Sequence, residues 1–155
     1  SYADRCVWNV QNRVARPLRK LEGTNSWTYS TAAWQQANAA ATNQLAIVVG
    51  LSEDAIAVRA LALAMNNNNG SMGVGIGLDA ANAIATGSLA GQMRAAGTLA
   101  SAMSAMALFD TIPAVGYHYY TWLEYSNQEA AGTTTWYGDN GAAVIQTGIT
   151  AMWKS

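Results

Sequence analysis

From Met72 to Asp79 the chain reads MGVGIGLD, with a glycine at every second position. Met72, Val74, Ile76 and Leu78 fall on one side, and Gly73, Gly75 and Gly77 on the other. A helix does not sort residues this way, whereas a strand, whose side chains alternate between two faces, does. Glycine weakens a strand, so three on one face imply that another backbone or large side chains lie close against it. NNNNGS, just upstream, is a strong turn signal. The segment before it, SEDAIAVRALALAM (52–65), carries helix propensity, with Ser52 as a candidate N-cap followed by two acids. Read with period two, it places Ala57, Arg59, Leu61, Leu63 and Met65 on one face. Ile56, Val58, Ala60, Ala62 and Ala64 then share the other, and periodicity alone does not choose. The Asn/Gly turn and the alternating strand after it favour the extended reading, with the two segments as a hairpin.

The same rhythm recurs. RCVWNV alternates Cys6, Trp8 and Val10, and SWTYS alternates Trp27 and Tyr29. QLAIVVGL is a short apolar run, as in a strand covered on both faces. GYHYYTWLEYS (116–126) puts Tyr117, Tyr119, Thr121, Leu123 and Tyr125 on one face and His118, Tyr120, Trp122 and Glu124 on the other. GTTTWYGDNG and AAVIQTGITAMW complete a set of about eight short, turn-bounded strands, which predicts an all-β sandwich or barrel. Residues 80–109, rich in Ala and Met, stay open between strand and helix. A chain of 155 residues is one ordinary domain. We divide it into a basic N-terminal strand or attachment segment, 1–20, and a β-sandwich, 21–155.

Only 11% of residues are charged, against roughly 25% in ordinary domains. Asn, Gln, Ser, Thr and Gly must therefore build the surface, as expected of proteins that assemble or persist outside cells. The formal net charge of −1 gives no reason to expect nucleic acid or an anionic membrane as partner. Arg5, Arg13, Arg16, Arg19 and Lys20 are five of the eight basic residues. They are candidates for attachment to an acidic partner, or else a solvated basic end. A single cysteine, Cys6, excludes an internal disulfide and Cys-based zinc sites, and a single histidine excludes His clusters. The longest nearly apolar run, Ala95 to Phe109, is too short to span a bilayer. No stretch reads as a signal peptide. The chain starts at Ser1 rather than Met, as expected of a processed product or a fragment.

No motif commits the chain to catalysis. The glycines of GSMGVGIGLD lack the G-x-G-x-x-G order and no Gly-Lys-Ser/Thr follows, so no phosphate loop is expected. His118 and Glu124 are six residues apart, about 20 Å along a strand, too far for an acid–base pair. No Ser sits in a G-x-S-x-G elbow. His118 is expected to be a hydrogen-bonded structural residue, and Glu124 to be solvated or paired with Arg59 or Arg94. Asp79, Asp110 and Asp139 lie at strand ends or turns, where Asp caps its own backbone, and no D-x-D-x-D-G loop offers a calcium site. We expect no cofactor and no metal. The aromatics are lopsided, with six Trp and seven Tyr to one Phe. Trp and Tyr combine an apolar body with a polar tip, which suits cores, interfaces and sugar platforms. Trp136, Tyr137 and Asp139, beside a turn, are the candidate contacts with a glycan or a neighbouring copy.

Several blocks then stand in a familiar order: RCVWNVQNRVARPL, SWTYSTAAWQQAN, ATNQLAIVVGLSEDAIAVRALALA, GVGIGLD, GYHYYTWLEYS and GTTTWYGD. Together with the closing IQTGITAMW they resemble a β-rich C-terminal domain of structural proteins of tailed bacteriophages and related prophages. The resemblance spans residues 5 to about 147, and departs from the pattern between Ala80 and Phe109. It implies a jelly-roll-like antiparallel sandwich, assembled as a homotrimer and serving as a virion fibre, spike, decoration or tail-associated module outside the cell. It implies contacts with other virion proteins and with a host surface glycan, and it transfers no catalytic residue. The competing expectations are a carbohydrate-binding module that stacks sugars on exposed Trp and Tyr, and a helical assembly protein built on 52–65 and 80–109.

Overall fold

The segment with conflicting signals is a strand. In the computed structural model, which describes residues 13–95, 101–127, 132–138 and 146–154, residues Ile56–Asn66 are extended throughout. Their burial alternates, with Ile56, Val58, Ala60, Ala62 and Ala64 fully inside. Eleven strands run in chain order: β1 (Ala15–Leu21), β2 (Ser26–Thr28), β3 (Gln35–Gln36), β4 (Gln44–Val49), β5 (Ile56–Asn66), β6 (Ser71–Leu78), β7 (Gly91–Arg94), β8 (Ser101–Thr111), β9 (Gly116–Asn127), β10 (Thr134–Tyr137) and β11 (Gly148–Lys154). Among the described residues the one helical element is a 3-10 turn, Ala37–Ala39. The helical alternative is thereby overturned, since β5, β7 and β8 occupy the segments it required. RCVWNV and the first twelve residues lie outside the described residues.

The strands form two antiparallel sheets. In the first, β5 is central. All of β8 pairs along one edge, from Ile56 opposite Thr111 to Asn66 opposite Ser101. Along the other edge β11 and then β10 pair end to end, and β1 and β2 lie outside them. In the second sheet β9 is central, with β6 and then β7 on one side and β4 and β3 on the other. Backbone bonds between Leu89 and Leu108, 2.8 and 2.9 Å, close over the outer edge of β8. Of the basic segment, residues 15–20 belong to β1, which runs to Leu21 and pairs with β11 over its whole length.

Between the sheets lies one core. β5 and β8 contribute small side chains, with Ala60 opposite Ala107 and Ala62 opposite Ala105. This leaves depth for the rings of Tyr120, Trp122 and Trp136, all at most 1% exposed and in the same core cluster. That complementarity explains how an Ala-rich stretch survives as a strand, since strand preference reflects packing more than backbone bias. β6 turns Met72, Val74 and Ile76 inward, as its alternation predicts. The bare side of β6 is covered as expected. A Cβ on Gly73 would lie 2.9 Å from the Trp34 ring, and one on Gly77 would lie 2.4 Å from the Ala80 carbonyl. The outward face of mid-β9 is covered the same way, by the chain's own loops instead of a second sheet or subunit.

The expected β5–β6 hairpin does not form. Both edges of β5 are taken, so β6 joins the other sheet and NNNNG arches across the sandwich. Asn66 holds the arch. Its Oδ1 accepts from the Asn68 and Gly70 amides at 2.9 and 3.1 Å, and its Nδ2 donates to Thr134 Oγ1 at 2.6 Å.

Candidate assembly surface

Because β5 alternates, its second face must meet either water or a partner. Outward from the first sheet point Leu61, Leu63 and Met65 of β5, Met106 and Leu108 of β8, Met152 of β11 and Tyr137 of β10. Leu61 is 41%, Met106 52% and Met152 50% exposed. Leu61 and Met106 are directly opposite each other across the pair and form one patch with Leu63, Met65, Leu108 and Tyr137, whereas Met152 lies beyond the row of Arg59 and Thr150. Gly148 beside Leu61 leaves a hollow of about 330 Å3, walled by Arg19, Leu21, Leu61, Gln146 and Thr150. Charge borders the patch at Arg59, which binds Asp110 at 2.6 Å, and at Arg19, which lines the hollow. The Arg59 guanidinium, by hydrogen bond above all, holds the Asp110 carboxyl below its usual range.

A second apolar patch lies on the outer face of the other sheet. Val48 is 54% and Tyr117 60% exposed, and the two are cross-strand partners. Ile112 and Val115, in the turn before β9, are also exposed. Contiguous exposed apolar surface of this kind marks interaction sites, whereas scattered single residues do not. Of these residues, the sequence singles out Tyr137 alone as a contact. The available signal was that 52–65 is apolar on both faces, which suits a strand covered twice.

The candidates from the sequence fare unevenly. Trp136 is fully buried, and its indole N–H donates to the Tyr29 carbonyl at 3.1 Å, so it offers no ring to a glycan. Tyr137, the next residue, faces outward and its hydroxyl lies 3.8 Å from Met65 Sδ, within the first patch. Asp139 and Arg5 lie outside the described residues. Arg13 is held by Glu53 and Asp54 of its own chain, which raises its pKa, above all through the Glu53 hydrogen bond. Arg19 donates to Gln146 at 2.8 Å, and Arg16 and Lys20 share the same edge strand.

Glu124 is neither solvated nor paired with arginine. It is fully buried, and its oxygens accept from Gln35 Nε2 at 2.8 Å, the Asn38 amide at 3.1 Å and Trp27 Nε1 at 2.7 Å. Burial pushes its carboxyl up to about 7, against those three donors and with help from the charge of Glu22. For Glu22, burial also pushes upward, but hydrogen bonds from Asn43, Thr24 and Asn38 outweigh it and leave the carboxyl lowered. His118 is structural: its ring nitrogens lie 2.7 Å from Asp79 Oδ2 and 3.0 Å from the Ala114 carbonyl. Asp79 caps the Tyr119 amide of the neighbouring strand, at 2.9 Å, instead of its own backbone. Among the described residues no three His, Cys, Asp or Glu side chains converge on a metal position, and no helix is long and apolar enough to cross a membrane.

Fold and surface together define a β-sandwich domain of two antiparallel sheets with apolar patches on two different outer faces. Compared with known protein families, curated proteins and solved structures, the chain matches none.

Proposed function

We propose that the chain is a non-enzymatic structural module of a virion, of the tailed-bacteriophage kind its motifs resemble, which assembles with its own copies into a trimer. The fold supports a jelly roll. Four strand pairs are nested, β1 with β11, β4 with β9, β5 with β8 and β6 with β7, as when one long hairpin is rolled into two four-stranded sheets. Jelly rolls recur in viral capsid proteins and in lectins. That link is analogy, because a fold does not fix a function. On this reading the edge strand with Arg16, Arg19 and Lys20 faces other virion proteins, in an extracellular particle.

The observation that carries self-assembly is the pair of apolar patches on different sheets. A two-fold dimer uses one self-complementary patch, whereas a ring joins two different surfaces head to tail. In the trimer the Leu61–Met106 patch of one copy covers the Val48–Tyr117 patch of the next. Light scattering on the purified chain is expected to give three copies at roughly 10–100 μM. The double variants Leu61→Glu/Met106→Glu and Val48→Glu/Tyr117→Glu should each be monomeric. Mixed together they keep one intact joint and should form a two-copy complex. A monomeric parent chain, or a trimer that survives either variant, defeats the proposal.

A further inference from the structure

Eight residues along β9 from Tyr117, about 27 Å away, Tyr125 and the loop residue Trp34 line an open cleft of about 360 Å3. The ring centroids are 5.1 Å apart with planes inclined at 40°. Trp34 is half-buried because its benzo edge rests on β6. A Cβ on Gly73 would fall 2.9 Å from its Cη2, and one on Gly75 would fall 3.1 Å from its Cζ3. Gly73 and Gly91 leave bare backbone in the lining, which Ser71 and Gln92 complete. Among the described residues no charged side chain lines the cleft. Among the described residues nothing takes a hydrogen bond from the Trp34 indole or pairs with the Tyr125 hydroxyl, the Ser71 hydroxyl or the exposed Gln92 amide.

We propose that this cleft binds a neutral sugar ring, stacked on Trp34 and hydrogen-bonded at its rim by Gln92 and Ser71. A pyranose has an apolar C–H face and an edge of hydroxyls, and the cleft pairs an aromatic wall with uncharged donors and acceptors. An ionic ligand would find no counter-charge among the described residues of the lining. A wholly apolar one would strip water from four polar groups without replacing their hydrogen bonds, at a cost for each. The volume is at the small end of ligand sites, ~300–1,000 Å3, and suits about one or two sugar rings. Sugar binding moves from Trp136, where the sequence placed it, to a half-buried ring that lines an open cleft. The inference goes beyond self-assembly and does not depend on it, since the cleft shares no residue with either apolar patch.

The test titrates the whole chain with glucose, galactose, mannose, N-acetylglucosamine and N-acetylgalactosamine, each as its methyl glycoside. Amide and indole N–H signals are followed by NMR. At least one sugar should give saturable shifts centred on the Trp34 indole, the Gln92 side-chain amide and the Gly73 and Gly91 amides, with Kd on the order of 1 mM. Affinity should fall about tenfold in Gln92→Ala, a substitution at an exposed site that keeps the spectrum of the folded chain, and vanish in Trp34→Ala. Absence of saturation by every sugar at about 50 mM, shifts that map elsewhere, or full affinity in Gln92→Ala and Trp34→Ala would overturn the proposal. Subunit number, measured on the same samples, reports on assembly separately.

Discussion

Glu124 places a carboxyl group at a fully buried position. Three donors favour the carboxylate and burial opposes it, and burial wins, with the pKa pushed up to about 7 from 4.5. Between those values the folded chain holds a proton that the unfolded chain releases, so stability falls as pH rises from 4.5 towards 7 and levels off above. The shift corresponds to roughly 3 kcal/mol. Urea midpoints measured across that range should decline accordingly, and Glu124→Gln should flatten the decline. The lowered Glu22 acts in the opposite direction and below its ordinary range, where protonation removes the preference for its bonds to Asn43 and Thr24. An unchanged slope in Glu124→Gln would mean that the carboxyl is ionised in the folded chain throughout.

At the scale of elements, the arch between β5 and β6 depends on one side chain. Asn66→Ala removes two caps on turn amides and the bond to Thr134, all at a buried position. It should cost about 2–3 kcal/mol, read as a lower thermal or urea midpoint with the strand signature of circular dichroism intact. The arch also shows where the sequence stops being legible. Alternation in MGVGIGLD and GYHYYTWLEYS identified the strands and correctly separated Met72, Val74 and Ile76 from the glycines, because period two is a local property. Which sheet a strand joins is not local. NNNNGS announces a reversal equally well for a hairpin and for an arch, and only the occupied edges of β5 decide between them. Trp136 failed for a related reason. Its Gly and Asp neighbours suggested exposure, yet alternation sends Thr134 and Trp136 inward and Tyr137 outward. The shelter around Glu124 was unreadable, because its donors come from three segments far away in sequence.

For the whole molecule, the low charge bears on how copies meet. The two patches hold Leu, Met, Val and Tyr, whereas Arg13, Arg19 and Arg59 bond within the chain, to Glu53 and Asp54, to Gln146 and to Asp110. Association through such surfaces is driven by removal of apolar area from water, which salt does not screen and which excluded salts strengthen. Association through the basic edge strand would instead weaken as counter-ions screen it, with the Debye length shrinking from about 10 Å at 0.1 M to about 3 Å at 1 M. Sedimentation equilibrium of the purified chain over that range of sodium chloride therefore separates the two. The self-association constant should hold steady or tighten with salt. It should also weaken on cooling from about 25 °C to 5 °C, because the apolar driving force fades at low temperature. A tenfold loosening at high salt would place the joint on Arg16, Arg19 and Lys20 and leave the Leu61–Met106 face bare in solution.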